Sequence, residues 1–332
     1  MGGWRRRRAP KATRPEGYRS GNYGRACDRK RKSKIYRSRE GGNINFWAIN
    51  FLNGIVFSFI LFSLATGFSI ILGVMGILNL AHGALFMIGA YLGWTVAVEY
   101  NLNFGLAIAA GGIGAGLVGL GLQQGFLRYL HKQTKEQVLL TAGFIFILTN
   151  LTHLFFGPIA RTPFTPPFLS GAVSFLGLRY PLFRVCIILF GILLYVIFWL
   201  LEDHTRVGAI VRAGMDNKEM TMGLGINLGL VSALVFFFAA GITGISGVIG
   251  MQIMGADLQL PMTILKYSLV CVVVGGVGSV HGALLGSILI GLVDTFGKAL
   301  FPEFAMFTIF LTMIIILLFR PIGLLGRKGV WG

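Results

Sequence analysis

The sequence predicts an all-α, polytopic membrane protein with about eight or nine transmembrane helices, some of them broken or re-entrant. Of its 332 residues, 55% are hydrophobic and 12% are charged, whereas a soluble domain carries about 25% charged residues. The mean hydropathy is +0.76. Most of the 48 glycines lie inside apolar runs, where small residues let membrane helices approach one another closely.

The apolar runs are long enough to cross a bilayer, which takes about 20 residues. The candidate spans are residues 50–72, 79–98, 105–127, 137–156, 182–201, 229–253, 263–298 and 302–319. The seventh is too long for one simple helix, and the glycine-rich stretch 275–282 interrupts it. We therefore predict two shorter helices joined by a non-helical break, which is tolerated at membrane depth only where protein buries it or where it lines a cavity.

Three connections carry Lys and Arg residues, namely 128–136, 202–227 and 320–328. The positive-inside rule places all three in the cytoplasm and the proline-rich loop 158–181 outside. A cytoplasmic amino terminus followed by three full spans would contradict this arrangement. Either a front segment is broken or re-entrant, or residue 45 starts outside and the basic tail is not native.

The amino-terminal segment 1–44 is set apart by its composition, and residues 45–328 form the predicted transmembrane domain. Residues 1–40 hold 15 Lys and Arg and three acidic residues, so we expect disorder. The segment is interpreted as a cytoplasmic tail that touches anionic lipid or as a non-native extension. A nucleic-acid arm is the weakest of the three interpretations, and we expect no nucleic-acid partner.

The sequence contains no recognisable catalytic or metal-binding pattern. The three cysteines, Cys27, Cys186 and Cys271, are far apart and predict neither a disulfide framework nor a metal site. The stretch that ends in Lys298-Ala299 lacks the spacing and the Ser/Thr of a phosphate loop. We therefore expect that the protein is not an enzyme and that it binds no cofactor directly. Asp294, the acidic residue of the broken seventh span, either makes a buried polar contact or lies near the membrane interface, and the second interpretation is preferred. So few acids argue against a proton- or sodium-coupled carrier.

Polar residues within the spans are candidates for a translocation pathway. Asn79 and His82 are three residues apart on one helix face, where they either line a pathway or join helices, or where Asn79 caps a helix. The tetrapeptide His82–Leu85 recurs as His281–Leu284, and paired interrupted helices in two halves are typical of transporters. The predicted pathway residues are Asn79, His82, Gly83, Gly275, Gly276 and Gly278.

The loop 202–227 carries seven of the 23 charged residues that follow position 40. Its part Arg212–Asn227 can form a short helix, which Asp216 or Asn217 would cap and glycines would end. A short helix on a cytoplasmic loop suits a groove on a partner protein; the alternative is a solvated connector. The predicted coupling residues are Arg212, Asp216, Glu219, Gly223, Gly225 and Ile226.

Ordered motifs extend over nearly the whole membrane part. They are Gly76–Tyr91, Thr205–Gly208, Arg212–Ala213, Gly223–Asn227, Gly275–Ala283 and Arg320–Arg327. With these motifs the chain resembles, from about Asn53 to Lys328, the LivH-type permease subunits of branched-chain amino-acid ABC importers. Two departures are the basic extension and His281, which stands where many members carry Gly or Pro.

The resemblance implies a multi-pass protein of the bacterial inner membrane that translocates branched-chain or related hydrophobic amino acids. It implies a second, LivM-like permease subunit, two cytoplasmic ATPases that bind ATP, and a periplasmic substrate-binding protein. It also implies that the stretch from Arg212 to Ile226 contacts the ATPase. Related permeases carry urea or short amides, which is the alternative within the family. A self-sufficient secondary carrier is the alternative outside it.

Overall fold

The computed structural model describes residues 23–76, 78–130, 133–175, 178–216 and 218–326. The helices are α1 (Tyr23–Met75), α2 (His82–Trp94), α3 (Phe104–Gly125), α4 (Thr134–Phe156), α5 (Leu182–His204), α6 (Arg206–Asp216), α7 (Lys218–Gly223), α8 (Leu228–Met254), α9 (Leu260–Gly275), α10 (Val280–Leu300) and α11 (Ala305–Phe319). A small antiparallel hairpin of β1 (Ala172–Phe175) and β2 (Leu178–Pro181) precedes α5 and pairs Val173 with Tyr180.

Among the described residues, six helices are long and apolar enough to cross a membrane. They are Asn45–Gly73 within α1, and α3, α4, α5, α8 and α10. Two shorter apolar helices are α9 and the part Phe307–Phe319 of α11, and α2 is a further short helix. The predicted all-α polytopic fold is therefore confirmed. The predicted division of the seventh span is also present, because α9 ends at Gly275 and α10 begins at Val280.

The membrane segment of α1 is the central helix of the described fold. Its apolar window is 83% buried, whereas the windows of α4 and α5 are 22% buried. The chain divides into two units after Trp47, and the apolar core lies in the unit that begins at Ala48. Residues 1–22 lie outside the described residues, so their predicted disorder stays a prediction, whereas residues 23–44 are described as the first part of α1.

Glycines bring α2, α3 and α8 into backbone contact. A Cβ atom added at Gly89 of α2 would collide with the backbone of Gly244 in α8, and one added at Gly244 would collide with the carbonyl of Gly111 in α3. Close approach of this kind is how membrane helices gain packing energy without a hydrophobic driving force. His82 contacts Thr243, which lies at the middle of α8, so α2 begins at mid-helix depth as a half-length helix.

One end of the fold holds the proline-rich loop and the start of the membrane segment of α1. We call it the external end, after the predicted location of that loop. The hydroxyl of Tyr180 donates to Asn53 at 2.9 Å, and the backbones of Arg161 and Ala256 pair through hydrogen bonds of 2.8 and 3.1 Å. The opposite end, called the basic end, holds the α3–α4 connection, α6, α7 and residues 320–326. The positive-inside rule predicts that the basic end faces the cytoplasm.

The contact between Asn53 and Tyr180 also shows how the front segments of the membrane part are arranged. Asn53 contacts Tyr180 beside the proline-rich loop, so the membrane segment of α1 runs from the external end to the basic end. The chain then returns through a non-helical stretch before α2 begins at His82. The front segment is therefore broken, as the first sequence alternative predicts, whereas the side of the membrane on which residue 45 lies stays a prediction.

Candidate functional site

His82 is a fully buried junction between three helices. Its Nε2 atom lies 3.1 Å from the carbonyl oxygen of Leu64 in α1 and 3.1 Å from the hydroxyl of Thr243 in α8. A carbonyl can only accept, so Nε2 carries the proton. The Thr243 hydroxyl donates to the carbonyl of Ala239 at 2.7 Å and can accept from His82. The ring also packs edge-to-face on Phe68 at 5.3 Å. Of the sequence interpretations, this geometry favours a helix-joining histidine.

Asn79 forms the turn that leads into α2. Gly76, with φ of +66°, follows the last residue of α1. The Oδ1 atom of Asn79 then accepts from the backbone amide of Ala81 at 3.1 Å, which is a short polar turn of the kind that Asn favours. Its Nδ2 atom is buried and has no hydrogen-bond partner among the described residues. The bond shapes the turn before α2, whose N-cap residue, Ala81, has no side-chain capping bond, so the interpretations of Asn79 as a pathway residue or a cap both stay predictions.

Gly83 is placed where helix α2 touches the start of α9. A Cβ atom added there would collide with the carbonyl of Pro261. Its position is therefore explained by helix packing in this conformation. Its predicted place in a translocation pathway stays a prediction.

The second break, residues 276–279, is buried and built on two glycines with positive φ. Gly276 has φ of +102° and Gly278 has φ of +76°, values that L side chains rarely adopt. Gly275 contacts the backbone of Gly282, so a Cβ atom has no space there. The amide of Gly278 donates to the hydroxyl of Ser69 at 3.0 Å. The predicted pathway role of these glycines also stays a prediction.

The carboxy-terminal segment 320–326 closes this break from the basic end. The amides of Leu324 and Leu325 donate to the carbonyls of Val274 and Gly275, each at 2.9 Å. These carbonyls belong to the last turn of α9, whose backbone acceptors need partners from outside the helix. The sequence analysis singled out the motif at Arg320–Arg327 but did not predict this pairing.

The two breaks flank the same part of α1. Leu64 and Phe68 contact His82, and Ser69 contacts Gly278. The predicted pathway residues therefore lie in or beside two breaks that both contact the second half of the membrane segment of α1. The predicted coupling residues lie elsewhere, on the connection between α5 and α8.

The two copies of the repeated tetrapeptide differ in their surroundings. Both open a helix after a break that contains a positive-φ glycine, which agrees with an internal repeat and leaves it a hypothesis. His82 is fully buried and hydrogen-bonded. His281 is only partly buried, and its ring lies edge-to-face against Tyr195 at 6.0 Å.

The polar loop folds as two short helices, α6 and α7, where the sequence predicted one. Arg212 fastens α6 to the end of α5: its guanidinium donates to the carbonyl of Glu202 and lies 3.4 Å from the carboxylate of Asp203. Helix α7 ends at Gly223, and Gly225 has φ of +79°, so the helix ends at the predicted glycines.

The remaining coupling candidates are less fully described. Asn217 and the side chains of Asp216 and Glu219 lie outside the described residues, so their predicted capping and dipole roles stay predictions. Ile226 is partly buried. Apolar side chains on α7 and the turn after it are exposed instead, with Met222 at 53% and Leu224 at 73%.

Asp294 is a buried polar contact, which is the first of its two sequence interpretations, because the residue is only 2% exposed. Its position relative to the membrane interface stays a prediction. Its carboxylate accepts from the hydroxyl of Tyr267 at 2.9 Å and from the ammonium of Lys298 at 2.6 Å. The spacing of four residues between Asp294 and Lys298 is a recognisable helix pair that the sequence analysis did not use.

The external end is held by aromatic and cationic side chains that the sequence analysis did not single out. Arg184 and Tyr180 both donate to the side-chain oxygen of Asn53. Burial raises the pKa of the Tyr180 phenol, so the hydroxyl remains a donor at neutral pH. The guanidinium of Arg161 lies 4.3 Å above the ring of Trp94, a cation–π contact. Among the described residues, no group of three or more His, Cys, Asp or Glu is arranged to hold a metal ion.

Apolar helices that begin after buried breaks, together with a polar loop of short helices at the basic end, define a multi-pass membrane protein of the transporter class. The family described as "Branched-chain amino acid transport system / permease component" matches residues 50–318, and the chain belongs to this family.

Curated relatives carry matching descriptions. The chain is 28% identical to the "High-affinity branched-chain amino acid transport system permease protein BraD" of Pseudomonas aeruginosa, over 80% of this chain and 92% of that protein. It is 25% identical to the permease protein LivH of Escherichia coli K12, over 84% of this chain and 95% of LivH. It is also 25% identical to the permease protein LivM of the same organism, over 79% of this chain and 67% of LivM.

Proposed function

We propose that the chain is the permease subunit of an ATP-binding-cassette importer that carries branched-chain or related hydrophobic amino acids across the bacterial inner membrane. A second, LivM-like permease subunit would pair with it. Two cytoplasmic ATPases would supply the energy of ATP, and a periplasmic binding protein would deliver the amino acid. The names of BraD, LivH and LivM support this substrate class and a system with more than one permease protein.

The observation that carries the proposal is the exposed apolar surface of the α6–α7 loop. Met222 and Leu224 are largely exposed on an otherwise polar loop at the basic end. Exposed apolar side chains on a short helix suit a hydrophobic groove on a partner. The same loop carries the predicted coupling residues, so the proposed partner of this surface is the ATPase.

Arg212 gives the loop a mechanical connection to the membrane part. Because it fastens α6 to the carbonyl of Glu202 at the end of α5, a displacement of α6 by the ATPase would be transmitted to α5. ATP would bring the two ATPases together and switch the permease pair from inward-facing to outward-facing. Hydrolysis would reset it. The breaks before α2 and α10 would be the places where the pathway changes shape.

Two other functions would differ from this proposal in substrate, partners or energy source. Permeases for urea or short amides would share the partners and differ in substrate. A self-sufficient carrier would need no ATPase and would use an ion gradient. Asp294 is the only buried acidic residue among the described residues, and its pairing with Lys298 provides no evident proton or sodium relay.

The test is affinity purification of the tagged chain from gently solubilised native membranes, with the co-purifying proteins identified by mass spectrometry. Recovery of two phosphate-loop ATPases and a second permease supports the importer. A stable, monodisperse chain recovered alone, which takes up substrate in vesicles with an ion gradient, overturns it. Uptake of radiolabelled leucine, valine, urea and acetamide by the intact system then separates the substrate alternatives.

A further inference from the structure

An ammonium group that contacts a buried carboxylate marks a site outside the two breaks. The Nζ atom of Lys298 lies 2.6 Å from the carboxylate of Asp294 and 3.3 Å from the hydroxyl of Tyr267. It also lies 5.4 Å from the centre of the Phe57 ring and 5.8 Å from the centre of the Tyr267 ring. Three helices, α1, α9 and α10, supply these groups. Together they surround one ammonium with a carboxylate, a hydroxyl and two aromatic rings.

The arrangement differs from an ordinary helix ion pair. Exposed pairs four residues apart contribute little because water screens both charges. Here the carboxylate of Asp294 is only 3% exposed, whereas the side chain of Lys298 is 57% exposed. The negative charge is therefore fixed inside the protein, and its cationic partner reaches it from the surface along a flexible stem.

The groups select for an ammonium ion rather than for lysine itself. A carboxylate and a phenol hydroxyl accept charge-assisted hydrogen bonds from any primary ammonium, and aromatic rings attract cations through their faces. The side chain of Lys298 is 57% exposed, and the contacts described above all involve its Nζ atom. The α-ammonium of an amino acid has the same charge and the same three donors.

We infer that Phe57, Tyr267 and Asp294 form an ammonium subsite for the transported amino acid, which Lys298 occupies while no substrate is bound. The inference rests on the proposed function, because it requires that the cargo carry a primary ammonium. When substrate arrives, its ammonium replaces that of Lys298, whose side chain moves fully into the exposed space beside it. No step leaves the buried carboxylate without a cation, which would be costly inside a membrane protein.

The subsite makes a prediction that a structural ion pair does not make. Removing Asp294 removes the subsite, whereas replacing Lys298 by glutamine removes the competitor and leaves the carboxylate with hydrogen-bond donors from Tyr267 and from the glutamine. The two single substitutions should therefore change uptake in opposite directions. If the two residues form only a structural ion pair, each single substitution would lower the uptake rate, and the double substitution, which removes both charges, would restore it.

The experiment compares D294N, K298Q and the double variant in the native host from which the chromosomal copy has been deleted. Initial rates of radiolabelled leucine uptake are divided by the amount of assembled complex, and thermal midpoints of the purified complexes report on folding. We expect D294N to lower the rate by roughly tenfold or more, K298Q to raise it, and the double variant to stay as slow as D294N. Glutamine at position 298 keeps a hydrogen-bond donor for Asp294.

A second measurement tests ligand binding at the site separately from any effect of the substitutions on assembly of the complex. The probe is 3-methylbutylamine, which has the leucine side chain and an ammonium but no carboxylate. It should raise the thermal midpoint of the K298Q complex and leave that of the double variant unchanged. No shift in K298Q, or equal shifts in both, overturns the inference.

The outcomes also distinguish this inference from the proposed function. If the wild type takes up leucine and D294N does so at the same rate, the subsite is wrong and the importer stands. Recovery of the rate in the double variant shows a structural pair and has the same meaning. If the wild type takes up none of leucine, isoleucine and valine, the proposed substrate class is wrong, and the subsite falls with it.

Discussion

The Nε2 atom of His82 lies 3.1 Å from the hydroxyl oxygen of Thr243, although 161 residues separate the two in the sequence. This contact ties the start of the half-length helix α2 to the middle of α8. A second bond from His82 to Leu64 adds α1 to the same junction. The polar side chain is therefore accommodated in an apolar bundle because it has partners on two other helices.

Substitution of Thr243 by valine should weaken this junction. T243V keeps the shape of the side chain but removes the hydroxyl, and we expect a loss of about 0.5–1.5 kcal/mol in the free energy of unfolding. T243S keeps the hydroxyl and is the matched control. Unfolding in mixed micelles, followed by the thermal midpoint, measures both. Equal midpoints for T243V and the wild type would show that the contact does not stabilise the fold.

Gly244→Ala should disturb the packing of α8 on α3. The added Cβ atom would collide with the carbonyl of Gly111 and lie 2.5 Å from the side chain of Ala115. We expect a cost of about 1–3 kcal/mol, typical of overpacking.

Gly121→Ala on α3 is the control for this prediction, because a Cβ atom there meets nothing within 4 Å. G121A should stabilise the helix by up to about 1 kcal/mol. Size-exclusion chromatography of fluorescent fusions after stepwise heating compares the two variants. A G244A protein as heat-resistant as G121A would be inconsistent with the described glycine contact.

Gly323→Ala should release the carboxy-terminal segment from the second break. Gly323 has φ of +83°, and an added Cβ atom would lie 2.7 Å from the amide nitrogen of Gly276 and from the carbonyl oxygen of Val273. We expect strain of about 1–2 kcal/mol from the left-handed conformation, together with displacement of the segment. Hydrogen exchange of the amides of Leu324 and Leu325 should become faster.

Gly225→Ala is the control for the tail variant, since it has φ of +79° and nothing within 4 Å of the added atom. It carries the same backbone strain without the contact, and it should leave exchange at Leu324 and Leu325 unchanged. Unaltered exchange in G323A would mean that these hydrogen bonds do not depend on the close approach of Gly323 to Gly276.

Leu224→Asp should impair recovery of the partner ATPases without unfolding the chain. Leu224 is 73% exposed, and changes at such positions usually alter stability by less than about 0.5 kcal/mol. Ile159→Asp at the external end is the matched control, because Ile159 is 70% exposed. Quantitative mass spectrometry of tagged complexes should show ATPase loss in L224D alone. Equal ATPase recovery from both variants would argue against the α6–α7 loop as the docking surface.

The helices and their interruptions could be predicted from local sequence. Apolar runs of sufficient length mark spans, and glycine-rich stretches such as 275–282 mark breaks. The end of α7 at Gly223 was predictable for the same reason. These features depend on residues close together in the chain, so a single sequence contains the information.

The contacts between distant segments could not be predicted in this way. His82 and His281 open the same tetrapeptide, yet only His82 is fully buried, because Leu64 and Thr243 come to it from other helices. Asp294 was placed at the interface because an apolar run with little periodicity does not show which face is covered. The pairing of Leu324 with Val274 likewise depends on how α9 and α11 end, which no local pattern records.

The position of α2 has a consequence for biosynthesis. Helix α2 has 13 residues and continues directly into a five-residue π-helix, Thr95–Glu99, so the whole helical segment is slightly shorter than the roughly 20 residues that an autonomous membrane-inserted helix needs. Its binding place on α8 is completed only when Thr243 has been synthesised, 161 residues after His82. At translation rates of about 5–20 residues per second, the wait lasts roughly 8 to 30 seconds. During that interval the nascent chain is most exposed to misinsertion and quality-control proteolysis, so substitutions on α8 reduce yield at the ribosome before they alter the finished transporter.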